Sequence, residues 1–148
     1  MPWLTLPLVN GYAVVDVLVT AAPARRRALR LAGHSVSPPV AYKALIDTGA
    51  GASCIDPTVR QALNLVPFTV SSVSVPGNPQ PVRANQYRLS LTVRHPAGNA
   101  QLDLSAPLLK VVETALAQTG YSIVIGCDVL ALCDFHYAGR KGTFSLIY

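Results

Sequence analysis

Acidic side chains are scarce in this sequence. Asp16, Asp47, Asp56, Asp103, Glu113, Asp128 and Asp134 are the whole set, against twelve lysines and arginines. Any carboxylate chemistry must draw on those seven. Cysteine is scarcer still: Cys54, Cys127 and Cys133 only. An odd, low count is a poor disulfide framework. No cysteines stand in C-x-x-C spacing, and the one C-x-x-H pair, Cys133 and His136, has no second ligand pair beside it. No metal site and no cofactor are therefore expected. Aromatic residues make up 7% of the chain and do not interleave with basic ones. That argues against a nucleic-acid partner despite the net charge of +5. No apolar run approaches the roughly 18 residues of a membrane span. The N-terminus has no basic stretch leading into an apolar one, so no secretory signal is expected. These absences predict a soluble, cytoplasmic protein of a reducing compartment.

What is present is apolar and frequently punctuated. Hydrophobic residues make up 51% of the chain and mean hydropathy is +0.37, enough for a sizeable core. The length of 148 residues suits one domain, residues 1–148. Twelve prolines and ten glycines separate short β-branched or alternating runs, so a mostly β chain is predicted. Strands are expected at Leu4–Val9, Tyr12–Thr20, Tyr42–Ile46, Phe68–Val75, Val82–Val93, Gln101–Leu104, Leu108–Val112, Ser122–Ile125 and Thr143–Ile147. Asn10-Gly11 is a tight-hairpin signal between the first two. Residues 21–39, with Arg25, Arg26, Arg27 and Arg30, read as an exposed excursion with room for a short helix at Ala24–Ala32. Asp56-Pro57 marks a helix start, with Val59, Ala62 and Leu63 on one face. Asp128 is expected to cap a second helix, and Ala115–Thr119 has a weak helical signal.

The segment with chemical content is Ala44-Leu45-Ile46-Asp47-Thr48-Gly49-Ala50. An apolar strand runs directly into an aspartate. Such a carboxylate is costly unless it is hydrogen-bonded or shares a proton. Thr48 offers a hydroxyl, and Gly49 lets the chain turn and approach the carboxylate. Read alone, the segment could also be an Asp that stabilises a turn. The other carboxylates have blander readings: Asp56 and Asp128 as caps, Asp16 and Asp103 as solvent-facing strand residues, and Glu113 as solvated. Asp134 either ends a helix or begins a strand.

Asp47-Thr48-Gly49-Ala50, preceded by Leu45-Ile46, resembles the catalytic loop of the retropepsin-like aspartic proteases. Ser53 and Ile55 fit the downstream pattern of that single-domain branch. Ile123-Val124-Ile125-Gly126, followed by a helix start, resembles the element lying behind that loop. The resemblance covers about residues 42–148, and residues 1–19 are compatible with the opening strands. The 21–39 excursion has no counterpart in the compact viral members. Gly51 and Ala52 stand where viral enzymes carry acidic residues, and Cys127 where they carry an arginine. Viral specificity therefore does not transfer.

The resemblance implies an all-β, closed-barrel acid-protease fold with one or two short helices, and an aspartic endopeptidase acting on a peptide or protein. Its catalytic residue would be Asp47, supported by Thr48, Gly49 and Ala50. Only one Asp-Thr-Gly is present, so a C2 homodimer must supply the second carboxylate. Thr48 would bond across the axis. The tip running from Val75 through Pro76, Gly77 and Asn78 to Gln80 would be a substrate-covering flap, and Ile125 with Gly126 would back the site. The C-terminal run Phe144–Tyr148 is either a dimer-interface strand or an internal one. A non-catalytic dimerisation or peptide-binding module of the same fold is the alternative.

Three rival chemistries fit less well. Gly49-Ala50-Gly51-Ala52-Ser53 imitates the start of a dinucleotide-binding loop, but Cys54 fills the third glycine position. Ser53 lacks the G-x-S-x-G elbow and a histidine partner. Cys54 has nothing nearby in sequence to activate it.

Overall fold

The computed structural model describes residues 1–148. Ten strands form two sheets: β1 Trp3–Pro7, β2 Val14–Ala21, β3 Val40–Ile46, β4 Cys54–Ile55, β5 Thr69–Val73, β6 Val82–Val93, β7 Leu104–Glu113, β8 Ile123–Ile125, β9 Asp134–Ala138 and β10 Thr143–Ile147. The helices are short: α1 Pro23–Leu31, α2 Pro57–Ala62 and α3 Cys127–Leu130. Six strands close into a barrel in the order β2-β3-β8-β4-β7-β6, with β6 pairing back onto β2. Strand β5 hangs on the outer side of β6, and β1-β10-β9 form a separate three-stranded sheet.

Period-two patterning explains the barrel. Val15, Val17, Val19 and Ala21 of β2 point inward, while Asp16 points out and pairs with Lys43 across the β2–β3 ladder at 2.7 Å. In β6, Tyr87, Leu89, Leu91 and Val93 are inward and at most 1% exposed. Strand β8 is short and buried at all three residues, because it lies between β3 and β4 inside the closed sheet. One cluster of 25 buried residues runs from the barrel to Leu4, Phe144 and Leu146 of the smaller sheet.

Residues 104–113 differ from expectation. Gln101–Leu104 and Leu108–Val112 are not two strands: a 3-10 turn at Ala100–Leu102 precedes a single β7. Pro107 and Leu108 together face Ser90, so the strand bulges there. The Ser90 hydroxyl donates to the Pro107 carbonyl at 2.6 Å. The extra residue shifts the inward set from Leu104 and Ala106 to Leu109 and Val111, leaving Leu108 on the surface. An unbroken alternation would bury Leu108 and expose Leu109.

The Asn10-Gly11 turn forms as a tight one, with φ of 51° and 83° and reciprocal 2.9 Å bonds between Val9 and Tyr12. Its flanking strands then separate. β1 pairs with β10 and β2 enters the barrel, so the turn switches the chain between sheets. Strand β10 is central in its sheet, with Phe144 and Leu146 at most 2% exposed. Of the two readings of Phe144–Tyr148, the structure has the internal strand. The short helix expected in the excursion spans Pro23–Leu31 and buries none of its residues. Ala, Arg and Leu favour helix and Pro23 suits its first position. Ala62 of α2 is exposed, whereas Val59 and Leu63 are buried. No helix is long and apolar enough to cross a membrane.

Candidate active site

The site grows out of one parallel strand pair. Ala44, Leu45 and Ile46 of β3 run beside Ile123, Val124 and Ile125 of β8. Parallel pairing brings both strand ends to one edge of the barrel, so Asp47 emerges beside Gly126. The Asp47 amide donates to the Ile125 carbonyl at 2.9 Å. The Gly49 amide donates to Asp47 Oδ1 at 2.8 Å, and the Ala50 amide to the Asp47 carbonyl at 3.2 Å. These bonds fold residues 47–50 into a tight loop whose carboxylate faces solvent. Asp47 therefore keeps acceptor positions open beyond its single intrachain side-chain bond. The Thr48 hydroxyl makes no hydrogen bond within the chain and is exposed too.

Gly126 is required by contact, since its backbone φ of −99° is open to any residue. A Cβ there would sit 2.7 Å from the Ala50 carbonyl oxygen and from the Ala52 carbonyl carbon. The loop thus lies directly on the Gly126 backbone. The Cys127 amide donates to the Ala50 carbonyl at 2.8 Å, and its thiol to the Thr48 carbonyl at 3.3 Å.

Ser53 and Asp128 fasten the far end of the loop. Ser53 is fully buried. Its hydroxyl donates to Asp128 Oδ1 at 2.7 Å and accepts the Gly126 amide at 3.0 Å, while its own amide donates to Asp128 Oδ2 at 2.9 Å. Asp128 is therefore not the helix cap expected from sequence. Gly126 holds the cap position, and Asp128, the second residue of α3, ties that helix to the loop. The sequence signal is an Asp opening a helix; besides the adjacent Val129 amide at 2.9 Å, what it binds is 75 residues upstream and invisible locally.

Two further carboxylates also depart from expectation. The Glu113 side chain is 20% exposed, receives the Tyr87 hydroxyl at 3.0 Å and pairs with Arg60 at 2.8 Å. The Asp103 side chain, 8% exposed, is not on a strand face; it accepts the His95 amide at 2.7 Å and lies 3.5 Å from Arg94. Asp56 does cap α2, accepting the Thr58 amide at 3.0 Å and the Leu116 amide at 2.9 Å. Those backbone donors hold its carboxyl below the usual carboxylate range. Asp134 begins β9.

Asp47 lies on a cavity of about 520 Å³ between the loop and the β5–β6 hairpin. Gly49 and Ala50 line it from one side, Val75 and Pro76 from the other. Gly77 and Asn78 are at the hairpin tip, outside the lining. Pro76 and Gly77, the latter with φ of 83°, make a type II turn closed by a 3.0 Å bond from the Asn78 amide to the Val75 carbonyl. On the other side of Asp47 and Thr48 is a second cavity of about 320 Å³, walled by Tyr12, Phe135 and Tyr137.

The rival chemistries find no support in this geometry. The glycine-containing run after Asp47 enters β4 rather than opening a helix. Burial pushes the Cys54 thiol up, and the Asp128 and Asp47 carboxylates push it further, away from a reactive thiolate. Cys133 and His136 belong to no cluster of three or more metal-ligating side chains.

No protein-family model matches the sequence, and no curated protein matches it significantly. Among solved structures 21 chains match. One is the crystal structure of a retropepsin-like aspartic protease from Rickettsia conorii, with a TM-score of 0.61 over 99% of this chain and 90% of that one, at 15% identity. The chain thus has the retropepsin fold: a closed six-stranded barrel with a few short helices.

Proposed function

We propose that the chain, residues 1–148, is one half of an aspartic endopeptidase and that two copies combine their Asp47 carboxylates into one catalytic pair. The observation that carries this reading is the placement of Asp47: exposed, at the edge of the barrel, on a tightly bonded loop facing the cavity under the β5–β6 hairpin. A single chain offers one such carboxylate. Its unsatisfied acceptor positions and the free Thr48 hydroxyl suit a second copy meeting it on a two-fold axis.

Two carboxylates about 3 Å apart cannot both ionise, so the pair holds one proton. The ionised Asp47 takes a proton from a water, whose oxygen attacks the peptide carbonyl carbon. The protonated Asp47 gives its proton to the carbonyl oxygen, producing a gem-diol. Return of a proton to the nitrogen then breaks the C–N bond and frees acid and amine. No metal or cofactor is required by this scheme. The hairpin carrying Val75, Pro76, Gly77 and Asn78 would close over the peptide and exclude water. Pro76 and Pro81 stiffen it. Thr48, Gly49 and Ala50 hold the carboxylate, with Ile125 and Gly126 as their support.

The test is cleavage of a peptide mixture at mildly acidic pH by the wild type and by Asp47→Asn. Cleavage abolished by the substitution supports the peptidase. Peptide binding by both proteins, without cleavage by either, would assign the fold a binding role instead.

A further inference from the structure

Residues 21–39 hold four arginines and no carboxylate, and so carry four of the chain's five net positive charges. The ion pairs of the chain join Lys43 to Asp16, Arg60 to Glu113 and Arg94 to Asp103; none includes an α1 arginine. Arg25 does not simply project into water. Its Nε is buried and has no hydrogen-bond partner, and its side chain lines a cavity of about 410 Å³ between α1 and the end of α2.

The rest of that cavity is mostly polar. His34, Ser35, Ser37 and Asn64 line it, and no carboxylate does. The helix ends place these residues. The Gly33 and His34 amides take the Arg30 and Leu29 carbonyls, at 3.1 and 2.9 Å, in a Schellman cap with Gly33 at φ 75°. The Asn64 and Leu65 amides take the Gln61 and Arg60 carbonyls in the same way, at 3.2 and 3.0 Å, with Asn64 at φ 48°. Both caps take up backbone carbonyls, so few free acceptors are left at these two helix ends. Leu29, Val36 and Leu63 supply apolar wall.

We propose that this cavity binds a small phosphomonoester, its phosphate held by Arg25 with Ser35, Ser37 and Asn64 and its organic body against the apolar wall. A phosphate offers three strong acceptor oxygens and a charge of about −1.5 to −2, which suits this set of donors better than a single carboxylate does. The volume lies within the ~300–1,000 Å³ of small-molecule sites, more than bare phosphate needs. The site is at the end of the β2–β3 hairpin away from Asp47 and does not depend on the peptidase reading.

The experiment is a titration of the full chain followed by amide chemical shifts at about 0.15 M salt, where diffuse surface attraction is largely screened. The probes are inorganic phosphate, phenyl phosphate and acetate. Saturable shifts at Arg25, His34–Ser37 and Asn64 are expected, with phenyl phosphate tighter than phosphate and acetate weakest. Arg25→Gln should weaken phenyl phosphate by about tenfold or more. Arg27→Gln, exposed on the same helix, should change it less than about twofold. No residue of α1 is fully buried, so neither variant removes a core side chain. Co-sedimentation with phosphatidylcholine vesicles, with and without phosphatidic acid, separates the sources. Binding to phenyl phosphate but not to vesicles supports a soluble ligand. Arg25-dependent binding to both supports a lipid headgroup as the phosphate's source. Absence of saturable shifts, acetate binding as tightly as phosphate, or equal losses in the Arg25 and Arg27 variants would overturn the proposal.

Discussion

Replacing Ser53 with alanine tests how the Asp47 loop is held. The hydroxyl makes two of the three bonds in the Ser53–Asp128–Gly126 network, and the substitution removes both. The bond to Asp128 is charge-assisted, of the class worth about 1.5–3 kcal/mol. Asp128 is only half-buried and can recruit water, so the lower end applies. The Gly126 amide is buried and would be left without an acceptor, which costs about 1–3 kcal/mol. The alanine creates no clash and a void of one oxygen atom. The sum is a loss of roughly 2.5–4.5 kcal/mol, a large part of the stability of an ordinary domain. Urea unfolding should show a lower midpoint at unchanged slope. In a melt the Tm should fall by roughly 5–18 °C for a chain of this size. Amide exchange should quicken first at residues 50–54 and 126–128. A loss under about 0.5 kcal/mol, with those amides still protected, would refute the claim that this network fastens the loop.

Two other substitutions probe neighbouring claims. Asp56→Ala removes the α2 cap and the acceptor of the Leu116 amide and should cost about 1–3 kcal/mol near neutral pH. Because the folded carboxyl sits below its unfolded value, its contribution is complete above about pH 4 and fades as pH falls through the folded value. Paired urea melts of wild type and variant should therefore converge in acid; a gap constant with pH would contradict the assignment. Gly126→Ala puts a methyl group 2.7 Å from the Ala50 and Ala52 backbone and should destabilise by about 1–3 kcal/mol or more while displacing residues 50–52. A variant of wild-type stability with an unmoved loop in its crystal structure would show that the contact is not limiting.

The parts of the site that could be read from sequence are those whose cause is local. An apolar strand ending in Asp-Thr-Gly announces its own turn, and Asp56-Pro57 announces a helix start because the cap binds two residues away. Readings failed where the partner is distant. Asp128 resembles a cap until Ser53 is beside it, and Glu113 resembles a solvated residue until Tyr87 and Arg60 reach it. Strand β7 reads as two strands because the bulge at Pro107 breaks the period-two pattern that defines a strand. Strand β9 leaves little mark in the sequence because none of its five residues is fully buried, so its alternation is faint. The closure of the barrel, β6 onto β2, depends on pairings some 70 residues apart and leaves no local mark.

The central claim is that one chain supplies half of a catalytic pair. Its most direct test is to mix wild type with Asp47→Asn, allow subunits to exchange, and follow peptide cleavage at fixed wild-type concentration. If both carboxylates are needed, mixed dimers are inactive. An equal amount of variant should then lower activity to about half, and a threefold excess to about a quarter. Wild-type activity unchanged by any excess of the variant, in a mixture shown to have exchanged, would contradict the shared site.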